Sequence, residues 1–106
     1  MKMIFLLTVF FALCLAAEVR AAEVVISQVN QQFSDDAIRI KSGDTIIFKN
    51  ADTVIHNLQV VNSDGDTKDK GMEKPGESVR LSFPVPGEYK IRCSLHPDMK
   101  LKVSVQ

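Results

Sequence analysis

Phe83-Pro84-Val85-Pro86-Gly87-Glu88-Tyr89-Lys90-Ile91-Arg92-Cys93-Ser94-Leu95-His96-Pro97-Asp98-Met99-Lys100-Leu101-Lys102-Val103-Ser104-Val105 is the stretch that decides the fold. The turn signal Pro84-Val85-Pro86-Gly87 stands near its start. Tyr89, Ile91 and Cys93 then alternate with Glu88, Lys90 and Arg92, and Leu101, Val103 and Val105 alternate with Lys100, Lys102 and Ser104. A period of two puts the apolar set on one face of an extended chain, so both runs read as half-buried strands. Cys93 is in phase with Tyr89 and Ile91, which turns its thiol inward at a strand end. His96 and Met99 belong to the loop that joins the two strands. Pro97 fixes its own backbone and biases His96 towards an extended conformation.

The same pattern continues upstream. Val79, Leu81 and Phe83 alternate with Ser78, Arg80 and Ser82, and Ile38 and Ile40 flank Arg39. Further strands are expected over residues 23–29, 45–50 and 56–62. Thr45-Ile46-Ile47-Phe48 is apolar on both faces, as a central strand would be. Residues 67–73 are polar around Met72 and suit a loop, a short helix or an edge strand equally. Turn signals at Lys41-Ser42-Gly43-Asp44, Asn62-Ser63-Asp64-Gly65-Asp66 and Lys74-Pro75-Gly76-Glu77 separate these runs. About seven or eight short strands without a convincing helix predict an all-β sandwich or barrel.

Residues 1–21 read differently. Lys2 gives a positive start, residues 3–17 carry no charge, and Val19-Arg20-Ala21 offers small residues where a signal peptidase reads. The apolar run is short for a membrane span, which needs about 18 or more residues. A signal peptide over 1–21, cut near Ala21 or Ala22, is therefore expected, with one domain over 22–106 in the periplasm. Leu13 precedes Cys14 where a lipoprotein would carry a small residue. Without Lys2, Glu18 and Arg20 the net charge is −1, from 11 basic and 12 acidic side chains. That balance predicts neither nucleic acid nor an acidic membrane as a partner. Cys93 remains the one thiol, unable to form an internal disulfide, so it is buried, paired between chains, or held by a metal.

A thiol, an imidazole and a thioether stand within seven residues, Cys93 to Met99, and the only other histidine is His56. Two imidazoles, a thiolate and a weak thioether form the ligand set of an electron-transfer copper centre. Zinc also takes cysteine and histidine, but its structural sites use four strong ligands, and here only three exist. Each residue alone reads blandly: a buried structural cysteine, a surface histidine, a core-filling methionine. No serine or cysteine is paired with a base and a third orienting group, so no enzyme is expected.

Asn50-Ala51-Asp52-Thr53-Val54-Ile55-His56-Asn57, the spacing Phe83-x-x-Pro86-Gly87-Glu88-Tyr89-x-x-x-Cys93 and the Cys-x-x-His-x-x-Met loop together resemble the cupredoxins, the small blue copper proteins. The likeness covers nearly the whole mature chain and is greatest to amicyanin-like and plastocyanin-like members. It implies a Greek-key β-sandwich and a monomer. It also implies one copper ion cycling between Cu(I) and Cu(II), with His56, Cys93 and His96 as equatorial ligands and Met99 as the weak axial one. It further implies electron exchange near His96 with a redox protein, a cytochrome or a dehydrogenase, and Tyr89 in a tyrosine corner. Asn50 is expected to tie the two ligand segments together. Leu95 stands where those members carry proline, and its extra N–H is expected to donate to the Cys93 sulfur. Asp98 and Lys100 depart from the apolar surface usual around the loop histidine. A copper-delivery protein and a non-redox accessory protein of the same fold are the alternatives.

Overall fold

Two sheets face each other across the side chains that alternate inward. The computed structural model describes residues 21–106, so the expected leader lies outside the described residues except for Ala21. The strands are β1 (Glu23–Val29), β2 (Gln32–Phe33), β3 (Ala37–Ile40), β4 (Thr45–Asn50), β5 (His56–Val61), β6 (Thr67–Glu73), β7 (Ser78–Ser82), β8 (Gly87–Arg92) and β9 (Lys100–Val105). One sheet runs β2-β1-β4-β7 and the other β3-β9-β8-β5-β6. β1 lies parallel to β4 and β3 parallel to β9, and the other pairings are antiparallel.

Alternation in the sequence becomes burial in the fold. Ile91 pairs with Leu101 and Tyr89 with Val103 across β8 and β9. Ile91, Leu101 and Val103 are fully buried, and they pack in one core with Ile26, Ile46, Phe48, Leu58, Cys93 and Met99. Truncating one such side chain to alanine costs about 2–5 kcal/mol, so core packing fixes how β8 points its last residues. The Tyr89 hydroxyl donates to the Val85 carbonyl at 2.6 Å, closing the expected tyrosine corner. Its ring meets Phe83 edge-on at 5.3 Å.

The expected central strand is β4, between β1 and β7. Its inner face buries Ile46 and Phe48, whereas Ile47 on the outer face is only half-buried. The ambiguous segment is β6, an edge strand exposed along its length except at Glu73. No alternation marks it because it covers no core and is held by its ladder to β5. That ladder slips between Asn57 and Gln59, which face Met72 and Asp69. The one extra residue on β6 is accommodated at Gly71, whose φ of 95° suits glycine and strains other residues.

Candidate metal centre

Strand ends and loops assemble the candidate donors at one end of the sandwich. Cys93 follows β8 and is 1% exposed, as its phase predicts. His56 opens β5 and is fully buried. His96 lies in the loop between β8 and β9 and is half-exposed. The Met99 N–H donates to the His96 carbonyl at 2.9 Å, closing that loop into a tight turn. Met99 itself is 1% exposed and joins the same core as Cys93.

Three donor atoms converge. His56 Nδ1 and His96 Nδ1 are 3.1 Å apart, and Cys93 Sγ stands 3.9 Å from the first and 3.6 Å from the second. A triangle of those sides has a centre about 2.1 Å from every corner, close to the ~2.0–2.3 Å that nitrogen and sulfur donors keep from a zinc-sized ion. His56, Cys93 and His96 could therefore hold one metal ion with little movement. The donor chemistry suits copper: a soft thiolate with two imidazoles, and a thioether residue buried nearby.

Each donor is held from behind. His56 Nε2 lies 3.0 Å from Asp52 Oδ2, leaving Nδ1 to face the other two donors. A carboxylate behind a ligating imidazole fixes its tautomer and ring orientation. Asp52 also accepts the Gln31 N–H at 2.8 Å and the Thr53 N–H at 3.0 Å. These amide donors, the Gln31 N–H foremost, and His56 hold its carboxyl below the usual range against the opposing effect of burial. Asn30 and Gln31 form the tip of the β1–β2 hairpin with φ of 53° and 58°. Left-handed backbone at two successive non-glycine residues is strained. The strain sits where the hairpin supplies an N–H to Asp52.

Asn57 links the two donor segments. Its N–H donates to Cys93 Sγ at 3.3 Å, and its Oδ1 accepts the Ser94 hydroxyl at 2.9 Å and the Ser94 N–H at 3.4 Å. Its Nδ2 donates to both Asp69 carboxylate oxygens, at 2.9 and 3.1 Å. Asp69 accepts the Gly71 N–H at 2.7 Å, so the bulge in β6 orients the amide of Asn57. This corrects the expectation for Asn50. Its Nδ2 donates to the Val54 and Glu73 carbonyls at 2.9 and 2.8 Å, and its Oδ1 accepts the Asp52 N–H. Asn50 thus braces the approach to His56, while Asn57 makes the tie to the Cys93 loop. The Leu95 expectation also fails, because among the described residues the Asn57 N–H is the backbone donor that reaches the sulfur. Leu95 instead turns outward and is 50% exposed, beside exposed Pro97 and Asp98.

A buried acid, invisible in the sequence, lies at the end of β6. Glu73 is fully buried, stands opposite His56 in the ladder, and accepts a hydrogen bond from the amide of Gln28. Among the described residues, Glu73 Oε2 and Gln28 Oε1 have no hydrogen-bond partner. Desolvation pushes the Glu73 carboxyl up to about 7, against the lowering effect of Gln28. Gln28 is in phase with Val24 and Ile26, which was the one available sign that it faces inward.

A family model described as copper binding proteins, plastocyanin/azurin family, matches residues 20–106. Amicyanin of Paracoccus denitrificans is 31% identical over 93 residues, spanning 86% of this chain and 71% of that protein. The methylamine utilization protein MauL of Methylorubrum extorquens is 30% identical over 83 residues, spanning 78% of this chain and 71% of that protein. A solved structure of a reduced amicyanin mutant superposes with a TM-score of 0.73 at 28% identity, covering 86% of this chain and 89% of that one.

Proposed function

Because the chain belongs to the plastocyanin/azurin family of copper-binding proteins, we propose that it holds one copper ion among His56, Cys93, His96 and Met99 and carries single electrons between redox proteins in the periplasm. Copper and electron transfer follow from the family, whose members of this kind are carriers rather than enzymes. The single observation that carries the ligand assignment is the closed triangle of two Nδ1 atoms and one Sγ.

When bound, copper supplies one-electron chemistry by alternating between Cu(I) and Cu(II). The chain's own residues do the rest. Cys93 offers a thiolate from inside the core, with the Asn57 N–H spreading its charge. His56 is held still by Asp52 and screened from water. His96, half-exposed between Leu95 and Pro97, offers the ring edge through which an electron enters or leaves. Met99, the buried last residue of that loop, is the weak fourth donor. Residues 1–21, with their leader-like pattern, support export and removal of that segment. The partner is a redox protein, a cytochrome or a dehydrogenase, docking where Leu95 and Pro97 surround His96, with Asp98 and Lys100 at the margin.

The test is the visible spectrum of the mature protein loaded with Cu(II). An intense charge-transfer colour is expected, bleached by a mild reductant and retained against a moderate chelator. Cys93→Ser should abolish the colour. A protein that colours but surrenders its metal is a delivery protein, and one that stays colourless after thorough loading refutes the reading.

A further inference from the structure

At the opposite end of β4 from the metal centre, a buried carboxylate meets Ala22, the residue just before β1. Asp44 is 7% exposed. Its Oδ1 accepts the Ala22 N–H at 2.8 Å and its Oδ2 accepts the Lys41 N–H at 2.8 Å. The Ala22 carbonyl in turn accepts the Thr45 N–H at 3.0 Å, so Ala22 is clamped on both sides of its Cα. A cleft of about 460 Å³ lies alongside, lined by Ala21, Ala22, Arg39, Lys41, Asp44 and Gln106 among others. Asp44 is the one acidic side chain among its described lining residues. Val19-Arg20-Ala21 places small residues at the two positions a signal peptidase reads when it cuts between Ala21 and Ala22.

We infer that processing at the Ala21–Ala22 bond creates an α-ammonium group that docks on Asp44, so that export itself completes an ion pair at the base of the domain. The inference rests on the export reading above. A signal peptidase hydrolyses that peptide bond with one water. The Ala21 carbonyl leaves as a carboxylate on the leader, and the Ala22 nitrogen becomes an ammonium at neutral pH. The neutral N–H that now donates to Asp44 is thereby replaced by a charged donor at the same place. Charge-assisted hydrogen bonds to a carboxylate are about twice as strong as neutral ones. Arg39 and Lys41 line the same cleft and oppose a second cation there, which leaves Asp44 as the group that fixes the terminus. A cut one residue later would start the chain at Glu23 and lose both Ala22 bonds. A cut earlier would leave Ala22 an uncharged amide.

Intact mass of the exported protein is measured first. A chain beginning at Ala22 is expected. An uncut chain refutes the export reading, and a cut at another bond refutes this inference alone. The α-amine of Ala22 is then titrated by NMR in the mature protein. Its pKa should lie above the ordinary ~7.7–8.0, each unit of rise being about a tenfold gain in the folding equilibrium. In Asp44→Asn it should return to the ordinary range. Acetylating Ala22 in the unmutated protein restores an amide and should abolish that gain, which decides the matter even where Asp44→Asn does not fold. An ordinary α-amine pKa, or acetylation without effect on the unfolding midpoint, overturns the inference.

Discussion

Replacing Glu73 by glutamine should remove most of one pH dependence from the stability of the domain. The perturbation keeps the shape of the side chain and its neighbour Gln28 while abolishing the titration. In the folded protein the carboxyl is pushed up to about 7, from an ordinary value of 4.5, chiefly by desolvation. The folded state therefore holds a proton that the unfolded chain has already lost between those two values. Below 4.5 both states are protonated and the contribution is fully present. As pH rises through 7 it is lost, at up to ~1.36 kcal/mol per unit. Over the whole window the loss is about 3 kcal/mol, a large share of the ~5–15 kcal/mol that a domain has in total.

The geometry says why the neutral acid is preferred. Among the described residues, Oε2 of Glu73 and Oε1 of Gln28 are both acceptors without a partner. A proton on the acid turns one of the two into a donor. The assay is urea denaturation of the metal-free mature protein at pH steps from 4.5 to 8.5, for the parent and Glu73→Gln. Groups common to the two chains cancel in the difference. Asp44, Asp52 and Asp69 all have lowered carboxyl values, so their contributions change below this window. The parent should lose stability relative to the variant by about 3 kcal/mol across the series. Two parallel curves would refute the reasoning, since they would mean that Glu73 reaches water or a partner when charged.

Two further substitutions probe the supports of the centre. Asp52→Ala frees the His56 ring and removes the acceptor of the Gln31 N–H, so copper affinity should fall about 10–100-fold and the spectrum should shift, as read by chelator competition and visible absorption; unchanged affinity and spectrum would show that Asp52 does not position the ring. Asn57→Ala keeps the backbone N–H that reaches Cys93 but loses the bonds to Ser94 and Asp69, so the unfolding free energy should drop by about 1–3 kcal/mol while the colour of the copper form persists; loss of colour with unchanged stability would reverse that assignment.

The sequence carried the strands that face the core and lost those that do not. Tyr89, Ile91 and Cys93 alternate because one side of β8 is packed and the other is wet, and that contrast is what a period of two reports. β6 shows no contrast, since nearly all of it is exposed and its order comes from backbone pairing to β5. The donors were legible because cysteine, histidine and methionine are few here and their spacing is short. The supports were harder to see. Asn50 and Asn57 look alike in sequence, and only the bulge at Gly71 decides which one spans to Ser94. In sequence Leu95 offers a donor to sulfur because it keeps a backbone N–H. Possessing a donor says nothing of its direction, and the loop turns that residue outward. Gln28 and Glu73 gave the least warning, for a buried polar pair breaks the apolar pattern from which burial is inferred.

The donors and their supports divide the work in a way that bears on electron transfer. Three Lewis bases within 3.9 Å of one another are an unfavourable arrangement without a cation or proton among them. The fold holds them there by three separate means. Asp52, held by the β1–β2 hairpin tip of the opposite sheet, fixes His56; Asn57 fixes the Cys93 segment through the edge strand; and the short turn to Met99 fixes His96. A change of geometry at the centre must therefore disturb at least one element anchored elsewhere, at the left-handed Asn30-Gln31 tip, at the β6 bulge, or in the core around Met99. Rigidity of that origin does not depend on the charge of the bound ion. An electron can then come and go without the protein having to rebuild the site around each oxidation state.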